Sequence, residues 1–199
     1  MNFLAHAYLS FSDVNILTGN MISDFVKGKK QFDYPITIQK GIQLHRAIDS
    51  FTDNHPASKA AKQFFKPAVG LYAAAFVDVV YDHFLATDPN ELTATGWETF
   101  VQNAYQQLNI NQAYFPQKFA SMFPYMQSQN WLYNYRFEWG VEKSFGGVVR
   151  RAKYLKESNI AFAAFIANYT ALSDLYKQFF PELKLFAKNK FDELKQTKE

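Results

Sequence analysis

One segment, residues 71–86 (LYAAAFVDVVYDHFLA), constrains the fold more than any other part of the chain. Apart from two tyrosines, its only ionisable side chains belong to Asp78, Asp82 and His83, and all its other positions are apolar. A helix that is apolar on every side is stable only when other elements surround it. The fold must therefore pack further structure around this segment.

Helical periodicity continues through the rest of the chain, and no stretch shows the alternating pattern of a β-strand. Between Trp97 and Leu108 the apolar residues recur every three or four positions, as in an amphipathic helix. Further helices are predicted from Asp13 towards Phe25 and over residues 35–54, 141–155, 159–180 and 182–194. Four prolines suit the first turn of a helix: Pro35, Pro56, Pro116 and Pro181. Residues 87–96 are predicted to form a loop, and Pro124 to cause a kink or a break. The sequence thus predicts one all-α domain covering residues 1–199.

The composition excludes several classes of protein. Hydrophobic residues make up 48% of the chain, including 21 Phe and 12 Tyr, which is too many for a disordered protein. The absence of cysteine excludes a disulfide scaffold, a zinc ribbon and a cysteine nucleophile. A net charge of +3 is too small to indicate nucleic-acid binding. With neither a signal-peptide pattern at the N-terminus nor an uncharged apolar span, we expect a cytoplasmic protein without stable membrane association.

Two ionisable residues lie on the apolar face of the helix predicted over residues 35–54. At about 100° per residue, His45 and Asp49 share a face with Ile38, Ile42 and Ile48. An aspartate is almost never buried unless it is paired or coordinated. The spacing is compatible with a structural His–Asp hydrogen bond between two helices and equally with a metal or catalytic site.

The aspartates of residues 71–86 favour the functional interpretation. Asp78 and Asp82 are one helical turn apart, and two buried carboxylates repel each other unless they share a cation or a proton. Because the segment contains no Lys or Arg, a bound cation is the favoured partner, with tyrosine and main-chain donors as the alternative. The helices that carry His45 and Asp82 are then expected to pack face to face.

His6 and Asp24 extend this set, since both have apolar neighbours along the chain. Each alone is compatible with a core histidine or a surface aspartate. Together the candidate metal ligands number seven: His6, Asp24, His45, Asp49, Asp78, Asp82 and His83. A mixed set rich in carboxylates favours a hard divalent cation such as Mn²⁺ or Mg²⁺. Such a site in a helical domain typically supports hydrolysis by a metal-activated water.

Several motifs of this chain closely resemble the acyl carrier protein phosphodiesterase family. They are MNFLAH at residues 1–6, Gly19-Asn20 followed by DFVKG at 24–28, Gly41-Ile42 with LHR at 44–46 and Ile48-Asp49, FTD at 51–53 with Pro56, and DVVYDHFL at 78–85. Later matches are NWL at 130–132 with Tyr135, and FFP at 179–181. The resemblance covers nearly the whole chain.

The resemblance implies a reaction, a metal and a partner. The reaction removes 4′-phosphopantetheine from the serine of holo-acyl carrier protein, with Mn²⁺ as the metal. The fold would be a helical bundle distantly similar to the HD phosphohydrolases, although Asp82-His83 reverses the His-Asp order of that superfamily. The carrier protein is expected to be acidic, and two basic patches could attract it: Lys27, Lys29 and Lys30, and Arg150, Arg151, Lys153 and Lys156.

Within this interpretation, Asp24, His45 and Asp82 are the predicted catalytic residues. Lys27 or Arg46 would hold phosphate oxygens, although the helical wheel places Arg46 on the polar face. Two alternatives remain at the level of sequence. An HD-type hydrolase of a small nucleotide or phosphoester would turn over generic phosphodiesters, and a non-catalytic helical binding module would contain no metal. The sequence specifies no oligomeric state.

Overall fold

The computed structural model describes residues 1–196, and every regular element in that part of the chain is helical. The helices form a single all-α domain, which confirms the predicted class. The α-helices are α1 (Phe3–Tyr8), α2 (Val14–Ile22), α3 (Ile36–Asn54), α4 (Pro56–Val69), α5 (Ala73–Thr87), α6 (Ala94–Ile110), α7 (Gln117–Ser128), α8 (Trp131–Asn134), α9 (Glu138–Arg151), α10 (Asn159–Ala167) and α11 (Tyr169–Gln196). Short 3₁₀ turns cover Ser23–Phe25, Gly28–Asp33, Gly70–Tyr72 and Gln112–Tyr114.

Helix α5 is surrounded by other helices, as its apolar sequence predicts. Its Phe76, Val77, Val79 and Val80 side chains are completely buried. Helices α1, α4, α9 and α11 all pack against it. The two aspartates and the histidine of α5 therefore have protein around them, and their partners must come from these neighbours.

Helices α2 and α3 cross with their backbones in contact, because each presents a glycine to the other. A Cβ atom on Gly19 would lie 2.1 Å from the main-chain oxygen of Ile38, and one on Gly41 would lie 2.3 Å from that of Ile16. No residue with a side chain fits at either position. This close crossing brings the end of α2 directly beside the face of α3 that carries His45.

Some predicted boundaries are wrong, and most of the errors involve proline. Pro181 lies inside α11, so the predicted division there does not occur; the break falls at Asn168, between α10 and α11. Pro124 lies within α7, so the helix does not break there, and the alternative prediction of a kink stays a prediction. Both helices continue past proline with buried residues on each side, which shows that packing outweighs one lost main-chain hydrogen bond. The helix that begins after Asp13 ends at Ile22 rather than near Phe25.

The predicted face-to-face packing of α3 and α5 is also wrong. Helix α3 packs mainly against α2 and α11, whereas α5 packs mainly against α4 and α9 and also contacts α1 and α11. Helix α1 contacts both α2 and α5 and so connects the two halves of the candidate site. The N-terminal segment, rather than a direct helix pair, joins the two groups of ionisable residues.

One helical stretch of the described residues, Pro56–Thr87, is long and apolar enough to cross a membrane by length and composition. It is interrupted by the 3₁₀ turn at Gly70–Tyr72 and includes core helix α5. Buried core helices commonly pass the same test. A cytoplasmic location stays a prediction.

Candidate metal centre

Four of the predicted ligands meet at one place, where α1, α3 and the turn after α2 converge. His6 Nε2 lies 3.2 Å from Asp49 Oδ1, and His45 Nε2 lies 3.0 Å from Asp49 Oδ2. His45 Nε2 is also 3.2 Å from Asp24 Oδ1. The two imidazole rings are stacked, with centroids 3.9 Å apart. We call these four residues the His–Asp cluster.

One buried asparagine orients both histidines of the His–Asp cluster. The Nδ1 atom of His6 lies 2.8 Å from the side-chain oxygen of Asn20, and that of His45 lies 2.7 Å from its main-chain oxygen. Carbonyl oxygens only accept hydrogen bonds, so each Nδ1 carries the donated proton. Each Nε2 is thereby turned towards the carboxylates. Histidines that bind metals typically donate their other N–H in this way.

The charges within the His–Asp cluster indicate a place for a cation. Burial lowers the pKa of His6 to about 4, and the neighbouring His45 acts in the same direction. Burial also lowers the pKa of His45, but its hydrogen bonds to Asp24 and Asp49 outweigh burial and raise the value to about 9. Neutral His6 therefore points the lone pair of Nε2 at an oxygen of Asp49, so two acceptors face each other. A cation between them would remove that conflict.

The ligand atoms are close enough for one ion. One ligand atom from each of His6, His45 and Asp49 can be chosen so that all three lie within 4.8 Å of one another. The side chain of Asp49 is 40% exposed and that of Asp24 is 70% exposed, so the His–Asp cluster opens to solvent on the Asp24 side. Two imidazoles and two carboxylates suit Mn²⁺, Fe²⁺ or Zn²⁺. The donor set fits a divalent cation.

Asp82 lies apart from these ligand atoms and binds the start of α1. Its Oδ2 accepts a hydrogen bond from the N–H of Leu4 at 2.7 Å, and its Oδ1 accepts from those of Asn2 and Ala5 at 3.2 and 3.4 Å. The first N–H groups of a helix have no partner within the helix and attract negative charge. Burial raises the pKa of Asp82 to about 7 against the opposing effect of these donors and the Met1 ammonium.

Asp78 pairs with the ammonium group of Met1. The nitrogen lies 3.0 Å from Asp78 Oδ1 and 3.6 Å from Asp49 Oδ1. Burial alone would lower the pKa of this ammonium, but the three carboxylates around it raise the value to about 10. The partners of Asp78 and Asp82 are therefore the ammonium and main-chain N–H groups of residues 1–5, which agrees with the main-chain alternative to a bound cation.

His83 faces away from the His–Asp cluster. Its Nδ1 lies 2.7 Å from the main-chain oxygen of Tyr135, and its Nε2 lies 2.8 Å from the hydroxyl of Tyr169. Both ring nitrogens are thus occupied in a buried contact between α5, the residue that follows α8, and α11. The structure gives this residue the role of a core histidine.

The two predicted phosphate-binding residues differ in their surroundings. Lys27 is exposed and lies three residues after Asp24 in the chain. Arg46 donates one hydrogen bond to the main-chain oxygen of Val26 at 3.2 Å and another to the side chain of Gln31. Arg46 therefore fixes the segment that carries Asp24, on the polar face of α3 where the helical wheel places it.

Sequence reasoning missed two groups that organise the site. Asn20 is completely buried and contacts both histidines. The glycine before it, inside an apolar helical run, was the available signal of a close helix crossing. The Met1 ammonium had no signal in side-chain patterns, because it belongs to the main chain.

A matching family profile and three known proteins similar to this chain carry the same name. A family profile described as "Acyl carrier protein phosphodiesterase" matches residues 1–183. Proteins of that name from Enterobacter sp. (strain 638) and Klebsiella pneumoniae are 34% and 32% identical over 191 residues, which is 96% of this chain and 99% of each relative. One from Photorhabdus laumondii is 31% identical, covering 96% of both chains. No solved structure matches, so the predicted similarity to the HD phosphohydrolases stays a prediction.

Proposed function

Because this chain belongs to the acyl carrier protein phosphodiesterase family, we propose that it removes the 4′-phosphopantetheine arm from holo-acyl carrier protein. The oxygen of a water molecule forms a bond to phosphorus, and the bond between phosphorus and the serine oxygen breaks. The serine oxygen takes up a proton. The products are apo-carrier protein and 4′-phosphopantetheine.

The observation that carries this proposal is the convergence of two histidine Nε2 atoms on Asp49, with Asp24 beside them at the solvent-open edge. We assign His6, Asp24, His45 and Asp49 as ligands of a divalent cation, which the family resemblance indicates is Mn²⁺. When bound, the cation would supply positive charge to the phosphate and activate water for attack. The other members of the predicted seven are not included in this ligand set.

The remaining groups hold the ligands in position. Asn20 fixes the two imidazoles, and the Met1 ammonium fixes Asp49 and Asp78. Asp82 fixes the start of α1, one turn before His6. Catalytic carboxylates and imidazoles need such support because small misplacements of reacting groups reduce rates strongly. The role proposed for Asp82 is thus positioning rather than contact with substrate.

The carrier protein would approach from the side where Asp24 is exposed. The turn that follows carries Lys27, Lys29 and Lys30, all of them exposed. An acidic partner would be attracted to this edge and oriented there. Lys27 is the cation nearest in the chain to Asp24 and is proposed to contact a phosphate oxygen of the substrate.

The direct test is incubation of the protein with holo-carrier protein and Mn²⁺, followed by mass spectrometry of the carrier. We expect loss of the arm with the wild type and no loss with His45→Ala or Asp24→Ala. Far-UV circular dichroism should show that both variants keep the helical fold, although each loses the hydrogen bond between His45 and Asp24. His55→Ala is the matched control, because His55 lies outside the cluster and caps α4.

Two outcomes would replace the proposal. Turnover of generic phosphodiesters without loss of the arm from the carrier would indicate a small-molecule hydrolase. A protein that purifies without metal, binds the carrier and leaves its arm intact would indicate a binding module. Removal of the arm by His45→Ala at the wild-type rate would show that the His–Asp cluster is not the site.

A further inference from the structure

A groove of about 790 Å³ lies beside the His–Asp cluster and contains none of its residues. One wall is a face of α9 from Trp139 to Arg151, which extends over about 18 Å. The other wall includes Trp131 of α8 and also Asn2 and Phe3. Because Asn2 follows Met1, whose ammonium contacts Asp49, the groove begins next to the His–Asp cluster. This volume is typical of small-molecule pockets.

The groove is lined by cations and by no carboxylate. Its charged residues are Lys143, Arg150 and Arg151, and none of these forms an ion pair with a carboxylate within residues 1–196. Lys143 instead lies over the ring of Trp139, 4.9 Å from its centroid. Three like charges along one helix face repel each other and favour a bound anion.

Two glycines of α9, Gly146 and Gly147, leave space for the side chain of Arg150 in the groove. A Cβ atom on Gly146 or Gly147 would meet only the guanidinium of Arg150, at 3.7 and 3.5 Å. The guanidinium therefore lies back over these two positions, along the helix. Gly140 instead allows α9 to lie directly against α8, since a Cβ there would be 1.9 Å from the main-chain oxygen of Asn134.

The opposite wall carries polar groups that are held in place by hydrogen bonds within it. The Nε1 atom of Trp131 donates to the side-chain oxygen of Gln129 at 3.0 Å, and the side-chain nitrogen of Asn134 donates to the main-chain oxygen of Gln129 at 2.7 Å. All three residues line the groove. An elongated ligand with amide groups would meet amide side chains and an indole along one side, and guanidinium groups along the other.

We propose that this groove binds 4′-phosphopantetheine after its release, with the phosphate on Arg150 and Arg151 and the amide-containing chain along the Trp131 wall. The inference rests on the proposed function for the identity of the ligand. Hydrolysis converts a diester with one negative charge into a monoester with about −1.5 to −2 charges at pH 7. The cations therefore favour the product over the substrate, and guanidinium groups match phosphate in geometry. No metal is needed for this binding.

Tryptophan fluorescence offers a direct test, because two of the three tryptophans line the groove and Trp97 is buried elsewhere. The titration uses metal-free protein in the presence of a chelator. We expect a saturable change with 4′-phosphopantetheine and at least tenfold weaker binding of pantetheine, which lacks the phosphate. The double variant Arg150→Gln/Arg151→Gln should also bind the phosphorylated arm at least tenfold more weakly.

Lys153→Gln/Lys156→Gln is the matched control, since it removes the same charge just beyond α9 from residues that do not line the groove. It should bind the arm as the wild type does. His45→Ala should retain binding although it loses hydrolysis, so failure here is distinguishable from failure of the proposed function. The inference is overturned if pantetheine binds equally well, if the control weakens binding as much as the arginine variant, or if His45→Ala abolishes it. It is also overturned if apo-carrier protein, rather than the arm, binds in a manner that depends on these arginines.

Discussion

We expect Asn20→Ala to weaken binding of Mn²⁺ by about tenfold to a hundredfold, although Asn20 is not itself a proposed ligand. Its side-chain oxygen lies 2.8 Å from His6 Nδ1, and its main-chain oxygen, which the substitution keeps, lies 2.7 Å from His45 Nδ1. The variant therefore frees one imidazole and leaves the other held. An unheld imidazole loses the orientation that points Nε2 at the metal.

The loss of fold stability follows from the same contacts. The side chain of Asn20 makes three buried hydrogen bonds, with His6 Nδ1, the main-chain oxygen of His6 and Ser10 Oγ. Each bond contributes about 1 kcal/mol net, and a buried N–H left without an acceptor costs about 1–3 kcal/mol more. Ser10 Oγ still donates to the oxygen of His6, which limits the loss. We expect the free energy of unfolding to fall by about 3 kcal/mol.

Asn111→Ala is the matched control for this prediction. Asn111 is also buried, and its side chain donates to Asn15 Oδ1 and Thr18 Oγ1, both at 3.0 Å, without contacting the His–Asp cluster. Urea unfolding with a chelator present measures stability, and calorimetric titration measures Mn²⁺ affinity. Both variants should be less stable, but only Asn20→Ala should lose affinity. Equal affinity in Asn20→Ala and wild type, or equal losses in both variants, would refute the reasoning.

Four further predictions concern the same site. Asp78→Ala should lower the free energy of unfolding by about 2 kcal/mol in urea titrations, because it removes the closest carboxylate from the buried Met1 ammonium. Added Mn²⁺ should raise the melting temperature, because at a hundred times the Kd it adds about 2.7 kcal/mol to the free energy of unfolding; His45→Ala should show no such increase. Burial lowers the pKa of His45, but two carboxylates raise it to about 9, so a metal must displace a proton from this residue. Calorimetry should therefore show that Mn²⁺ affinity rises nearly tenfold per pH unit between about pH 6.5 and 8. An affinity that does not change with pH would argue against His45 as a ligand. His83→Gln should keep wild-type affinity for Mn²⁺ in the same assay while losing stability, because His83 bonds the main-chain oxygen of Tyr135; a loss of metal affinity would restore it as a ligand candidate.

Helical periodicity was sufficient to predict the class of fold and the buried position of α5. It also placed His45 and Asp49 on one face of α3, where their side chains do meet at 3.0 Å. These successes share a cause, since both depend on positions within a single helix. The continuation of α11 past Pro181 and of α7 past Pro124 could not be predicted in this way, because packing against other helices decided it.

The partners of the α5 carboxylates could not be read from side-chain patterns. Asp82 is compensated by main-chain N–H groups and Asp78 by the ammonium group of Met1. Neither donor belongs to a side chain, so the type of residue does not reveal it. Because the segment contains no Lys or Arg, its sequence pointed to a bound metal ion as the partner. Asn20 was likewise invisible as an organiser, because its contacts exist only where α2 and α3 cross at Gly19 and Gly41.

The attachment of α1 to Asp82 has a consequence for the order in which the molecule folds. The hydrogen bonds from Asn2, Leu4 and Ala5 join residues 77 to 80 positions apart. Closing a chain loop of that length costs about 4 kcal/mol of entropy, so the contact forms only with support from other packing. During synthesis, α1 must wait until α5 has left the ribosome before it can dock. The residues of α1 are thus made before those of α5 but reach their native place only with them, and docking of α1 and placement of His6 should be a single kinetic event.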